Sequence, residues 1–304
     1  MDDLQKRRLL TGCICALGCE TLYGLSYVFT KLAVSAGAET APLLAWRFFV
    51  GFAVMSVFAA ARLMRVNLGG RSLRPLLLVA LCYPVVYFIA ETTGIRLTTA
   101  SESGVFLACI PVAALIASSL ILRESPTRAQ RTGIAVTLGG ALLTVFAASA
   151  GATFSPIGYA ALTGAVVSYA LYCVAVRKTH GFTDAEITFA MMAAGAVVFG
   201  TAALVKALRF GTAIELLTFP LRDWRFAAST VFQGVASGAG AFFLNNAAIA
   251  RIGVNRCASF IGVSTVVSIA AGAALLGERL TAAQLIGAAI IIAGVMIANL
   301  ASNY

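Results

Sequence analysis

The sequence predicts an all-α membrane protein in which ten transmembrane helices form two inverted-topology five-helix repeats. Three observations predict this fold class: the composition, ten long apolar runs and an internal repeat. Of the 304 residues, 60% are hydrophobic and only 11% are charged, against about 25% charged residues in a typical soluble domain. A water-soluble fold cannot hide that much apolar surface. The composition therefore excludes a soluble enzyme, a disordered chain and a secreted disulfide scaffold.

Apolar runs define the predicted spans, since a helix crosses the hydrocarbon core with about 20 mostly apolar residues. The first run is too long for a signal peptide, and no small-residue cleavage site closes it. Connections are short apart from 206–223, and no stretch is long enough for a separate soluble domain. The ten predicted spans are 9–33, 42–62, 75–95, 99–122, 129–149, 156–176, 184–205, 224–249, 256–276 and 281–300.

An internal repeat divides these spans into two units. Residues 122–133 read LRESPTRAQRTG, and residues 276–287 read LGERLTAAQLIG. An offset of 154 aligns Glu124 with Glu278, Thr127 with Thr281, Gln130 with Gln284, Gly133 with Gly287 and Gly140 with Gly294, and an offset of 146 aligns Lys31 with Arg177. We predict units at 1–150 and 151–304. An odd number of spans in each unit turns the second copy upside down, an arrangement typical of secondary transporters.

The net charge of +10 is interpreted as membrane topology. With the N-terminus inside, the cytoplasmic segments of the first unit hold ten Lys and Arg residues and its outer loops hold one. In the second unit the cytoplasmic segments hold four and the outer loops hold five. The positive-inside rule thus favours cytoplasmic N- and C-termini in the cytoplasmic membrane. A nucleic-acid partner would need basic residues clustered on a soluble face, and the sequence offers no such face.

Cofactor and enzyme motifs are absent from the sequence. The seven cysteines are odd in number and form no CxxC, so we predict neither a disulfide framework nor a metal site, although Cys13, Cys15 and Cys19 lie close enough to consider a soft metal. The one histidine, His180, falls in a short polar loop. No Walker A, HExxH or GxSxG motif occurs, so we expect no cofactor, no ATP drive and no enzyme activity.

Several of these motifs together resemble the EamA-type branch of the drug/metabolite transporter superfamily. They are Leu122-Arg-Glu124, Leu276-Gly-Glu278-Arg279-Leu280, Tyr23-Gly24 with Lys31 in span one, Trp46-Arg47-Phe48 in span two, and Pro111 in span four. The resemblance covers nearly the whole chain and implies a ten-span transporter. Members of that family export amino acids and other metabolites, and some import them. The first repeat departs from the family pattern, because it reads Arg-Glu-Ser-Pro where Gly-Glu-Arg-Leu is usual.

Ionisable residues inside spans are functional candidates by default. Glu20, Tyr23, Tyr27 and Lys31 share one face of span one, and Tyr83, Tyr87 and Glu91 share one face of span three. Glu20 is predicted to bind a proton or the amine of a substrate, with a buried helix–helix hydrogen bond as the alternative. Arg47 is the candidate for an anionic group, because its guanidinium suits a carboxylate bidentately.

Neutral polar residues of the second unit complete the predicted substrate site: Tyr169, Tyr172, Gln233 and Asn245. Such residues also serve simply to join helices. Lys31, Glu91, Glu102 and Arg256 are predicted gate or coupling residues. Lys31, Arg47, Glu91, Arg96 and Glu102 would form an outer ion-paired network, with a purely structural role as the alternative. The repeat places Asn245 opposite Glu91 and Arg256 opposite Glu102, near the inner side.

These patterns predict a secondary transporter in the lipid bilayer. Its partner would be a small polar or amphipathic metabolite, with an amino acid or related compound as the leading candidate, moved by alternating access. Export is favoured by the resemblance alone. Coupling to a proton and facilitated exchange both stay open, as do two other classes of function, a membrane channel and a membrane-embedded enzyme.

Overall fold

The computed structural model describes residues 3–97, 106–146, 155–277 and 281–300, and within these ranges the chain forms helices and no strand. Within these ranges each predicted span overlaps one main helix, and an additional helix follows the seventh span. The helices are α1 (Asp3–Ser35), α2 (Thr40–Ala60), α3 (Arg74–Leu97), α4 (Ile110–Leu122), α5 (Arg128–Phe146), α6 (Pro156–Lys178), α7 (Asp184–Arg209), α8 (Ala213–Arg222), α9 (Trp224–Ala258), α10 (Gly262–Leu276) and α11 (Ala282–Leu300).

Helix length and composition identify the chain as an all-α membrane protein. Within the described ranges, seven helices are long and apolar enough to cross a membrane, namely α1, α2, α3, α6, α7, α9 and α11. Helices α4 and α10 are shorter apolar helices, so the count of ten crossings stays a prediction. Large apolar side chains such as Phe49, Leu77, Leu120 and Val197 lie on the outside of the bundle, where hydrocarbon rather than water suits them.

Two predicted boundaries in the second unit are wrong. The segment 206–223, predicted as a connection, contains the end of α7 and the whole of α8. Helix α9 continues to Ala258 across a non-helical residue, Gly253, whose φ of 78° suits glycine because it has no Cβ. Arg256 consequently lies in the last turn of α9 instead of opening the following span.

The contacts between the two halves follow an exchange pattern: each contact is found again when both of its helices are replaced by their counterparts in the other half. Helix α5 packs against α11 and α2 against α7, so each of these helices contacts its own counterpart. Helix α1 packs against α9 and α10, and its counterpart α6 packs against α3 and α4. Two copies related by a two-fold axis produce this pattern, because every contact between unlike helices then occurs twice.

Glycines set the contact between α5 and α11. A Cβ at Gly133 would lie 2.5 Å from the carbonyl oxygen of Gly294, and one at Gly140 would lie 2.8 Å from that of Gly287. The earlier residue of α5 meets the later residue of α11, so the two helices run antiparallel. Small residues allow backbones to approach this closely within a membrane.

Helices α5 and α11 begin with the same N-terminal cap. Thr127 and Gln130 exchange backbone-to-side-chain hydrogen bonds of 2.9 and 3.1 Å, and Thr281 and Gln284 do so at 2.9 and 3.2 Å. This reciprocal capping box satisfies two otherwise unpaired backbone N–H groups at each helix start. The same local structure therefore recurs at equivalent positions of both halves.

Two adjacent glycines of α5, Gly139 and Gly140, allow a test of the α5–α11 contact. Gly140→Ala should lower the free energy of unfolding by about 1–3 kcal/mol, because the added methyl group overpacks the interface. Gly139→Ala is the matched control, since a Cβ there meets nothing within 4 Å, and its better helix propensity should leave stability equal or higher. Thermal unfolding in detergent measures both, and equal stability of the two variants would contradict the contact.

Candidate functional site

A cavity of about 360 Å³ lies between the two halves of the bundle. Its walls come from α1, α2, α3 and α4 on one side and from α6, α9 and α10 on the other. It is lined by eight of the predicted substrate residues, Glu20, Tyr23, Tyr27, Arg47, Tyr83, Tyr87, Tyr169 and Gln233, and by Glu91. The sequence prediction thus contains most of the polar residues that line this cavity. It missed Ser26, Thr30 and Ser264, which also line the cavity.

The cavity extends toward one end of the bundle. Val34, Ala38 and Thr40, at the turn between α1 and α2, belong to its lining. Because α1 begins at the opposite end of the bundle, the mouth lies on the face away from the N-terminus. Ser26 and Thr30 line the path between this mouth and Glu20.

Glu20 is held against α10. Its side chain is buried, with 4% of the residue exposed, and the Ser264 hydroxyl lies within hydrogen-bonding reach of its carboxyl group. Gly24, one turn later, brings the two helices together, because a Cβ there would lie 2.7 Å from the Ser264 carbonyl oxygen. The close α1–α10 approach therefore fixes a carboxyl group at the inner end of the cavity.

Arg47 is a buried cation among neutral partners. It is 7% exposed, and its Nη1 and Nη2 donate long hydrogen bonds to Gln233 Oε1 (3.5 Å) and Ser237 Oγ (3.4 Å). The Phe88 ring centroid lies 5.1 Å from the guanidinium carbon, which adds a cation–π contact. Within the described ranges no carboxylate pairs with Arg47. The predicted outer ion network thus does not include it here.

The counterpart helices α3 and α9 each widen into a π turn beside the cavity. Leu81–Val86 of α3 carries Tyr83, whose backbone is non-helical, and Phe232–Gly240 of α9 carries Gln233. Such turns often mark functional sites, because they redirect side chains that a regular helix would stack. Here they direct Tyr83 and Gln233 into one cavity from opposite halves.

Tyrosine rings form a continuous wall of the cavity. The Tyr83 ring centroid lies 5.0 Å from that of Tyr87 and 5.4 Å from that of Tyr169. The Tyr87 hydroxyl donates a 2.8 Å hydrogen bond to Glu91 Oε1. Glu91 therefore belongs to the cavity wall together with Tyr87, and its closest described partner is neutral.

Tyr172 and Asn245 lie behind the cavity wall instead of lining it. Asn245 Nδ2 donates to the hydroxyls of Tyr169 and Tyr172 at 3.1 Å each. The Tyr172 hydroxyl donates to Asn246 Oδ1 at 2.7 Å. Both side chains are almost fully buried. Their polar groups satisfy one another, which indicates that they hold Tyr169 in place and do not reach a ligand.

The predicted gate residues are spread across the molecule. Lys31 is exposed near the mouth end of α1, and Glu91 lines the cavity. Arg256 lies at the opposite face, in a pocket that also includes Glu124 and Arg177. Glu102 is outside the described residues.

Ion pairs join the two halves at the face opposite the cavity mouth. Arg71 contacts Glu186 at 2.7 Å and Arg177 contacts Glu124 at 3.4 Å, and both pairs cross between the halves. Arg251 and Asp184 form a third pair, at 2.9 Å, within the second half. The sequence prediction missed all three pairs. Glu124 and Arg177, which form one of them, both appear in the repeat alignment, where they match Glu278 and Lys31.

The assignment of Tyr172 to the supporting layer is testable. Tyr172→Phe should lower the free energy of unfolding by about 1–3 kcal/mol, because it leaves buried amide groups unpaired, while the affinity for a transported substrate stays unchanged. Tyr27→Phe is the control, since Tyr27 is 56% exposed and should keep full stability. Thermal unfolding and transport kinetics measure the two effects, and a Tyr172→Phe protein with normal stability but weakened substrate affinity would contradict the assignment.

Comparisons with known proteins agree with this architecture. The sequence profile of the EamA-like transporter family matches residues 10–146 and 156–300, once in each half. An uncharacterized transporter of Bacillus subtilis, YcxC, is 30% identical over 281 residues, which span 92% of this chain and 89% of the relative. A probable terminal-alkyne amino-acid exporter of Streptantibioticus cattleyicolor is 28% identical over 74% of each chain.

A solved crystal structure has the same fold. It superposes with a TM-score of 0.77 over 98% of both chains, at 19% sequence identity. At that identity the likeness establishes the fold alone. The two profile matches and the Bacillus relative establish more: this chain belongs to the EamA-like transporter family, and it is a transporter, not an enzyme.

Proposed function

We propose that the chain is a secondary transporter that moves an amino acid or a related amphipathic metabolite by alternating access. One observation carries this proposal: a buried cavity between the two halves contains two carboxyl groups, Glu20 and Glu91, and one guanidinium, Arg47. An amino acid carries one positive and one negative group, so both ends of it find an opposite charge. Apolar residues such as Leu44 and Ile110 complete the lining and suit an amphipathic ligand.

Alternating access requires two bodies that move around a fixed site. We propose residues 1–150 and 151–304 as those bodies, inverted with respect to one another. The exchange pattern of helix packing and the antiparallel α5–α11 contact support this division. The ion pairs Arg71–Glu186 and Arg177–Glu124 would hold the face opposite the mouth closed and would break when the bodies rock.

With cytoplasmic termini in the cytoplasmic membrane, the mouth faces outward. Charge bias in the first half supports that orientation, and the name of the Streptantibioticus relative supports export of an amino acid. In this scheme the described conformation is the one that releases substrate outside.

Glu20 is proposed as the coupling group. A buried carboxylate needs a positive partner or a proton, and no Lys or Arg side chain within the described ranges forms an ion pair with it. The amine of the substrate, or a proton in its absence, would fill that role. Exchange of one for the other would couple transport to the proton gradient.

Glu20→Gln tests this role with a near-isosteric change. In proteoliposomes loaded with a mixture of labelled L-amino acids, the variant should lose the stimulation of efflux by an imposed pH gradient, because it can no longer exchange a proton. Glu215→Gln on exposed α8 is the matched control and should behave as the wild type. Unchanged efflux and pH response in Glu20→Gln would contradict the proposal. Efflux that never saturates with substrate would indicate a channel.

A further inference from the structure

Two hydrogen-bond donors in the cavity wall lack partners. Arg47 Nε and Gln233 Nε2 are both buried, and neither has an acceptor within the part of the chain that the structure describes. Gln233 is only 2% exposed. Buried side-chain donors nearly always have a partner. Both side chains line the same cavity, so one ligand bound there can offer an acceptor to each.

The orientation of the Gln233 amide follows from its neighbour. Its Oε1 accepts from Arg47 Nη1, and a guanidinium offers only donors, so the amide oxygen must face Arg47. The NH₂ group is therefore directed away from that contact with both of its protons available. Flipping the amide by 180° would point the Nε2 donor at the guanidinium, which is also a donor.

Close packing of the α2 and α9 backbones fixes the positions of Arg47 and Gln233 relative to each other. A Cβ at Gly234 would lie 2.7 Å from the Arg47 carbonyl oxygen, and one at Gly51 would lie 2.7 Å from the Gly234 carbonyl oxygen. Helices α2 and α9 thus touch through their backbones directly beside the pair. Phe88 covers the guanidinium from a third direction. Such a pair is preorganised and needs little rearrangement to bind a ligand.

We propose that Arg47 and Gln233 together form the subsite for the carboxylate of the substrate and make a free carboxylate a requirement for transport. The carboxylate oxygens supply the acceptors that Arg47 Nε and Gln233 Nε2 lack. Its negative charge compensates a guanidinium whose described hydrogen-bond partners, Gln233 and Ser237, are neutral. Glu20, elsewhere in the lining, is left for the substrate's amine. This inference rests on the proposed function and names the residues that select the acid group.

Substrate pairs test the carboxylate requirement in the unmodified protein. L-Leucine, L-phenylalanine and L-serine are compared with their C-terminal amides, which keep the amine and the side chain but lose the anionic group. Counterflow in proteoliposomes should show transport of at least one acid, and its amide should compete at least tenfold more weakly, as expected for the loss of hydrogen bonds to a charged group.

Gln233→Glu supplies the matched variant. The substituted carboxylate pairs with Arg47 and repels a substrate carboxylate, so the apparent affinity for the acid should fall at least tenfold while the weak competition by the amide does not fall. Gln284→Glu makes the same chemical change in the capping box of α11, outside the cavity, and should leave transport unchanged. Thermal unfolding of both variants confirms that they are folded.

The outcomes separate the two proposals. Amides that compete as well as acids would overturn the carboxylate subsite and leave amino-acid transport standing. A folded Gln233→Glu protein with wild-type affinity for the acid would also overturn the subsite. Absence of transport for all three acids and all three amides would overturn the amino-acid function and the subsite with it.

Discussion

The energy of placing a charge in hydrocarbon constrains everything else in this structure. A charged side chain at the centre of a bilayer costs about 2.5–3.5 kcal/mol on insertion scales, so each charged group must lie at a helix end, in an ion pair or in a cavity. Glu20 and Arg47 lie in the cavity between the halves, and Arg71, Arg177 and Arg251 are ion-paired at the face opposite its mouth. The position of the charged residues therefore defines both the site and the closed face.

Close backbone contact makes that arrangement possible. Gly24 against α10, Gly51 against Gly234 and Gly133 against Gly294 each bring two helices together where an added methyl group would collide with backbone atoms. The first two contacts lie beside Glu20 and Arg47, so the same feature that joins the halves also positions the charged groups. Contacts made by small residues contain few interlocking side chains, which suits two bodies that move against each other.

Sequence periodicity predicted the site where one helix face is polar in an otherwise apolar span. Glu20, Tyr23 and Tyr27 on α1 and Tyr83 and Tyr87 on α3 follow this rule and line the cavity. Polarity alone, which pointed to Tyr172 and Asn245, does not separate a cavity from a buried hydrogen-bond network, because only packing decides which of the two a side chain faces. Helix α8 was missed because its short mixed sequence, with Pro220 inside it, resembles a loop. The ion pairs at the closed face depend on which loops meet in space, which no single-helix pattern contains.

One cavity opens to one face of the bundle, while the ion pairs Arg71–Glu186 and Arg177–Glu124 join the halves at the opposite face. Thiol labelling tests this most directly. Right-side-out vesicles that contain the variant Thr30→Cys, a position in the cavity lining, are treated with a membrane-impermeant thiol reagent. Peptide mass spectrometry measures the modification at residue 30. Rapid labelling from outside is predicted, with a severalfold decrease when Glu124→Gln and Glu186→Gln remove the two ion pairs that join the halves at the face opposite the mouth. Glu186→Gln keeps the capping box with Thr183. Glu39→Gln is the control, because it removes the exposed pair with Lys206 that joins the halves on the mouth side, and it should not lower the labelling. Labelling of residue 30 only from the inside, or at a rate that the double substitution leaves unchanged, would contradict the account.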